Sequence, residues 1–144
     1  MPPATIRPIE GDRALTAGDS GVGSRERALA AARAAAGKKG TDTVVLDVAE
    51  VLAIVDYFVI TSGPNTRLVQ TLAEEVEAAL KATGGGPLRV EGYDDATWVL
   101  LDCGDVVVHV FLDEVRAYYE LERLWGDVPR LQVEPAEAAG AARE

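Results

Sequence analysis

Few side chains in this sequence are of a type that does chemistry, and their spacing decides against most of it. His109 is the sole histidine and Cys103 the sole cysteine. A Cys/His zinc cage takes about four such ligands, so one chain cannot build it, and an intramolecular disulfide is excluded. A nucleophile–base pair needs the two groups within hydrogen-bond reach and a carboxylate to orient the base. No nucleophile-elbow pattern accompanies His109, and Cys103 falls at a turn, where an exposed thiol is expected. Asp102 and Asp105 flank that thiol and disfavour its thiolate. Asp94-Asp95, Asp102 and Asp105 offer the oxygen donors a divalent cation takes, but acidic residues in tight turns also arise from local hydrogen bonding alone. Ser62-Gly63 stands at a strand end before a helix, the position of a phosphate cradle. The glycine-rich fingerprint and the Walker lysine are both missing, so a plain turn is expected there. His109 reads as a half-buried cross-strand neighbour of Trp98. No catalytic, cofactor or metal site is expected.

Those residues need a scaffold, and the composition supplies an ordinary one. The chain has 144 residues, 48% apolar and 26% charged, the length of one domain and the mix of a folded protein. No apolar run approaches the ~20 residues of a membrane span. The first 24 residues lack the apolar segment of a secretory signal, so a soluble, cytoplasmic protein with no membrane partner is expected. Turn-rich, aperiodic stretches predict mobile tails over 1–24 and 131–144, with the domain at 25–130. The net charge of −10 is unevenly spread: seven Lys/Arg against four Asp/Glu over 1–40, but five against sixteen over 41–126. Nucleic-acid readers carry the opposite sign, because Lys and Arg neutralise phosphates. An acidic body is drawn instead to basic protein surfaces. Extensive nucleic-acid contact is therefore not expected.

Hydrophobic periodicity places the elements. Ser24 caps a helix over 25–36 with an alanine face and Gly37 at its end. Thr43–Val48 and Tyr57–Thr61 are β-branched runs suited to strands covered on both faces. Asn65 caps a helix over 66–83 whose stripe is Leu68, Val69, Leu72, Ala73, Val76, Ala79 and Leu80. Leu88–Gly92, Thr97–Leu101 and Val106–Leu112 are three further strands. The last two form a hairpin with Cys103-Gly104 at its turn, Gly104 supplying a positive φ. That turn sets Asp102 opposite Asp105 and Trp98 opposite His109. Trp98, Leu100, Val107, His109 and Phe111 share one face, with Val99, Leu101, Val106, Val108 and Val110 on the other. A helix over 113–125, capped by Asp113, closes the order α-β-β-α-β-β-β-α. The fold class is α/β: a mixed five-stranded sheet packed with helices. Asp102 facing Asp105 is repulsive and invites a basic partner, and Trp98 beside that turn is the best candidate anchor for one.

Several stretches taken together resemble the ribosomal silencing factor (RsfS, or Iojap) family. They are Val44–Val48 (VVLDV), Asp56–Gly63 with Asn65 and Arg67 (DYFVITSGPNTR), Glu91-Gly92, Trp98–His109 (WVLLDCGDVVVH) and Arg116–Trp125 (RAYYELERLW). Their succession over residues 25–127 is far more specific than any one of them. The resemblance implies a non-enzymatic factor with a fold similar to a degenerate nucleotidyltransferase. It implies binding to the large ribosomal subunit through its protein uL-fourteen, blocking association with the small subunit and repressing translation. Organelle relatives are linked to large-subunit assembly, which is the alternative reading, and members are often homodimers. By the same match the partner-facing residues are Trp98, Leu100, Asp102, Cys103, Asp105 and His109, supported by Asp56 and Tyr57. The chain departs from the pattern at Cys103, where an aromatic is expected, and at Leu68, where a polar residue is. A nucleotidyltransferase activity is the remaining alternative. It requires a Gly-Ser turn followed within about ten residues by a strand bearing two Mg²⁺-binding carboxylates, and here no aspartate follows Ser62-Gly63 until Asp94.

Overall fold

Alanine at 28, 31, 32 and 35 gives the first helix a face almost without bulk, and all four are fully buried. In the computed structural model, which describes residues 23–133, this helix is α1 (Ser24–Gly37). Its smooth face lies against α2 (Thr66–Ala82), whose buried stripe is Val69, Leu72, Ala73, Val76 and Leu80. The Asn65 side chain caps α2 by accepting the Leu68 N–H at 2.8 Å. Ser24 is not a cap: Gly23 takes that position, and the Ser24 hydroxyl donates to Asp56 Oδ2 at 2.8 Å.

The sheet is mixed, open and six-stranded. Its strands are β1 (Thr41–Asp47), β2 (Tyr57–Gly63), β3 (Arg89–Glu91), β4 (Trp98–Asp102), β5 (Val106–Leu112) and β6 (Arg130–Leu131), in the spatial order β3-β4-β5-β2-β1-β6. Only β2 and β5 run parallel; the other neighbours are antiparallel. The crossover that parallel pairing demands is made by α2, β3 and β4. The expected count of five was one short, because a two-residue strand beyond Pro129 is too brief for periodicity to reveal. It pairs Leu131 with Val45. The tails expected over 1–24 and 131–144 lie almost wholly outside the described residues; at their margins Ser24 belongs to α1 and Leu131 to β6.

Both faces of the sheet are apolar, but they are covered unequally. Val45, Val59, Val99, Leu101, Val106, Val108 and Val110 face α1 and α2 and form the larger core. Leu46, Ile60 and Phe111 face the other way, joined by Val48 and flanked by Phe58, Trp98, Val115, Leu121 and Trp125. That second face is served by two short helices, α3 (Asp113–Tyr119) and α4 (Leu121–Leu124). The single helix expected over 113–125 is broken at Glu120, which takes the left-handed conformation at φ 49°. Asp113 is the first residue of α3 rather than its cap.

Candidate functional site

The β4–β5 hairpin carries most of the expected site, and its register differs from the expected one by two residues. Trp98 stands opposite Phe111, Leu100 opposite His109 and Asp102 opposite Val107. Cys103 N–H closes the loop on Val106 O at 2.9 Å, and Gly104 at φ +89° supplies the turn. Because the pleat repeats every two residues, a slip of two leaves every side chain on its expected face. Trp98, Leu100 and His109 do lie together, on the thinly covered side. Asp102 does not face Asp105.

The correction for the turn acids goes further. Asp102 and Asp105 are 4% and 9% exposed, so neither forms an acidic patch. Asp102 accepts the Gly104 N–H at 2.8 Å, an Asx turn that explains its residue type locally. Asp105 meets the Arg27 guanidinium of α1 at 3.6 Å, and its carbonyl takes the N–H groups of Asp56 and Tyr57. Arg27, 8% exposed, also donates to the Gly85 carbonyl and lies 3.9 Å from Cys103 Sγ. Cys103 is half-buried rather than exposed. Burial pushes its thiol up to about 12, against the pull of Arg27, with Asp105 and Asp102 adding to the rise. Asp56 is held by Ser24, and Tyr57 packs into the α1–α2 core. Arg27, Asp56, Tyr57, Cys103 and Asp105 form a knot at the Val106 end of β5, on the helix-covered side and apart from the Trp98 face.

Trp98 marks a second, separate cluster. Its indole is half-buried, and Nε1–H donates to His109 Nδ1 at 3.1 Å. His109 is 7% exposed, buried rather than half-buried, and burial pushes it down to about 4, so it is neutral. The rings run in sequence across the face: Tyr118 to Tyr119 at 5.0 Å, Tyr119 to Trp98 at 5.1 Å, Trp98 to Phe111 at 4.7 Å. Behind them Phe58 meets His109 edge-on at 5.1 Å and Trp125 at 5.6 Å. The ridge climbs from a fully buried Phe111 to Tyr119 at 54% and Tyr118 at 80% exposed. Two large apolar rings so exposed, continuous with a half-buried Trp and Leu100, are what an interface core looks like before its partner arrives.

The single helix expected over 113–125 absorbed Tyr118 and Tyr119, so neither was among the expected site residues. The break at Glu120 ends α3 just after them and leaves both rings outward. Gly92 helps set the ridge: it sits at φ +83°, and a Cβ there would overlap the Trp98 carbonyl oxygen.

Ser62 and Gly63 end β2 instead of forming the expected turn, and the role of Ser62 is structural. Ser62 is 2% exposed and accepts from Arg116 Nη1 at 2.9 Å. Among the described residues no group of three or more His, Cys, Asp or Glu is placed to hold a metal ion, and no helix is long and apolar enough to cross a membrane.

Comparison with known proteins agrees with the fold. The family model described as ribosomal silencing factor during starvation matches residues 22–144. A Halalkalibacterium halodurans protein named ribosomal silencing factor RsfS is 44% identical over 97 residues, covering 67% of this chain and 83% of its own. The mouse protein named mitochondrial assembly of ribosomal large subunit protein 1 is 36% identical over 87 residues, covering 58% of this chain and 38% of its own. A crystal structure of a Chromobacterium violaceum protein superposes with a TM-score of 0.68 at 37% identity, covering 78% of this chain and 94% of that one.

Proposed function

The chain belongs to the ribosomal silencing factor family, and from that premise we propose that it binds the large ribosomal subunit in the cytoplasm and blocks its association with the small one. It does so as a binding protein rather than an enzyme, through the large-subunit protein uL-fourteen. The observation that carries the reading is the exposed ridge of Trp98, Tyr119 and Tyr118, with Leu100 beside it. The ridge supplies the anchor; the net charge of −10 supplies attraction to a basic partner and repulsion from the surrounding RNA. Glu114, exposed in α3, puts acid on the helix that carries Tyr118 and Tyr119. A second copy of the chain competes for the same apolar surface, which makes a homodimer the free state.

Sedimentation of purified protein with separated subunits, followed by a subunit-joining assay, tests this. The expected result is that the protein co-migrates with the large subunit and lowers the yield of joined ribosomes. Trp98→Ala weakens binding by about 2 kcal/mol, roughly thirtyfold, as loss of an interface tryptophan does, while the thermal midpoint holds within a few degrees. Unchanged co-sedimentation of a folded Trp98→Ala protein removes the ridge from the interface. A role in assembling the large subunit is the second reading, favoured by the name of the mouse relative. It predicts that cells lacking the protein accumulate incomplete large subunits even in rich medium.

A further inference from the structure

We propose that His109 is the positioning residue for Trp98: by accepting the indole N–H it fixes the ring's direction and withdraws that donor, so Trp98 meets its partner as an aromatic face. The inference rests on Trp98 being an anchor, as read above. His109 cannot be a contact residue itself, because 7% of its surface is accessible. Trp98 stands opposite Phe111 in the ladder, so its indole reaches diagonally across the face to find the His109 nitrogen at 3.1 Å. Phe111 at 4.7 Å and Tyr119 at 5.1 Å bracket the ring, but neither limits rotation as a directional bond does.

The tautomer points the same way. Acceptance at Nδ1 requires the proton on Nε2, and that buried nitrogen finds no acceptor among the described residues. The fold thus leaves one donor unsatisfied and keeps the bond to Trp98. With its N–H engaged inward, Trp98 offers only π surface and ring edge. The matching partner group is an apolar side chain or, for so acidic a chain, a guanidinium or ammonium lying over the ring. A carbonyl or carboxylate seeking the indole N–H does not fit.

The test uses the full chain. It has two indole N–H resonances, and that of Trp98 is the one lost in Trp98→Phe. It should be shifted downfield and slow to exchange in the wild type. His109→Phe, which keeps a ring but no acceptor, should return it toward the free-indole position. His109→Asn, whose Oδ1 can stand where Nδ1 was, should restore it. Binding to large subunits should follow the resonance: about tenfold weaker for His109→Phe and within about threefold of wild type for His109→Asn. His109→Leu takes the place of the Phe variant should that not fold.

If His109→Phe binds as wild type, or His109→Asn binds no better than His109→Phe, the positioning role is wrong. Loss of binding in Trp98→Ala beside retention in His109→Phe would overturn this inference alone. Retention in Trp98→Ala would overturn the anchor and the inference with it.

Discussion

The Arg27 guanidinium lies 3.6 Å from the Asp105 carboxylate, joining the first helix to the turn of the β4–β5 hairpin. Both side chains are about nine-tenths buried, so the pair is neither a surface ornament nor an acidic lure. Removing one side of a pair so far from water typically costs about 3–5 kcal/mol. Arg27→Met should therefore lower stability by about 3 kcal/mol in urea unfolding, and Asp105→Leu added to it should recover part of the loss. A drop below about 1 kcal/mol would mean that water reaches the carboxylate.

The same knot governs Cys103. With its thiol pushed up to about 12 by burial first, Cys103 is overwhelmingly the unreactive thiol at pH 8. Alkylation by iodoacetamide should be at least about a hundredfold slower in the folded protein than in urea. Comparable rates in the two states would show the thiol to be open.

What the sequence revealed followed from period and type. The alternation of Trp98, Leu100, Val107, His109 and Phe111 put them on one face, and that survived a register slip of two because the pleat has period two. The alanine stripe of α1 and the Asn65 cap were equally legible. The partner of Asp105 was not, since Arg27 comes from a helix far away in the chain and no local pattern announces it. Nor was the break at Glu120: a left-handed residue that is neither glycine nor asparagine leaves RAYYELERLW reading as one continuous helix. The error mattered, because it hid the two most exposed rings of the ridge.

Acid should weaken the fold through His109. Burial pushes it down to about 4, against 6.5 for a free imidazole, and the rings around it are Phe58, Trp98 and Phe111. Between those two values the unfolded chain takes up a proton that the folded chain refuses. Stability from this group is thus fully present above 6.5, falls as pH falls, and is down by about 3 kcal/mol near pH 4. His109→Phe should flatten that part of the urea-midpoint profile relative to wild type. Parallel profiles between pH 4.5 and 7 would place the imidazole in water.

Arg116 should prove the least replaceable residue on the ridge side of the sheet. It is 8% exposed, and its guanidinium gathers three elements. Nη1 donates to Thr41 O at 2.8 Å and Ser62 Oγ at 2.9 Å; Nη2 donates to Asp42 O at 2.7 Å and Glu122 Oε2 at 2.8 Å. The fork thereby ties the start of β1 and the end of β2 to α3 and α4, the helices on either side of the Glu120 break. An ammonium has the charge but not the planar fork, so lysine cannot make these bonds together. Arg116→Met should cost about 3 kcal/mol or more, and Arg116→Lys most of that. The partner carboxylate reports on the same arrangement. Burial would raise Glu122, but the Arg116 hydrogen bond and charge hold it below its ordinary 4.5. Its contribution to stability is present above 4.5 and lost as pH falls through the depressed folded value. Arg116→Met should abolish that acid-side loss as well as lowering the plateau. Because α3 also carries Tyr118 and Tyr119, Arg116→Lys should weaken large-subunit binding at temperatures where it remains folded. Wild-type binding by that variant would mean that the ridge is held by Phe111 and Trp98 packing alone.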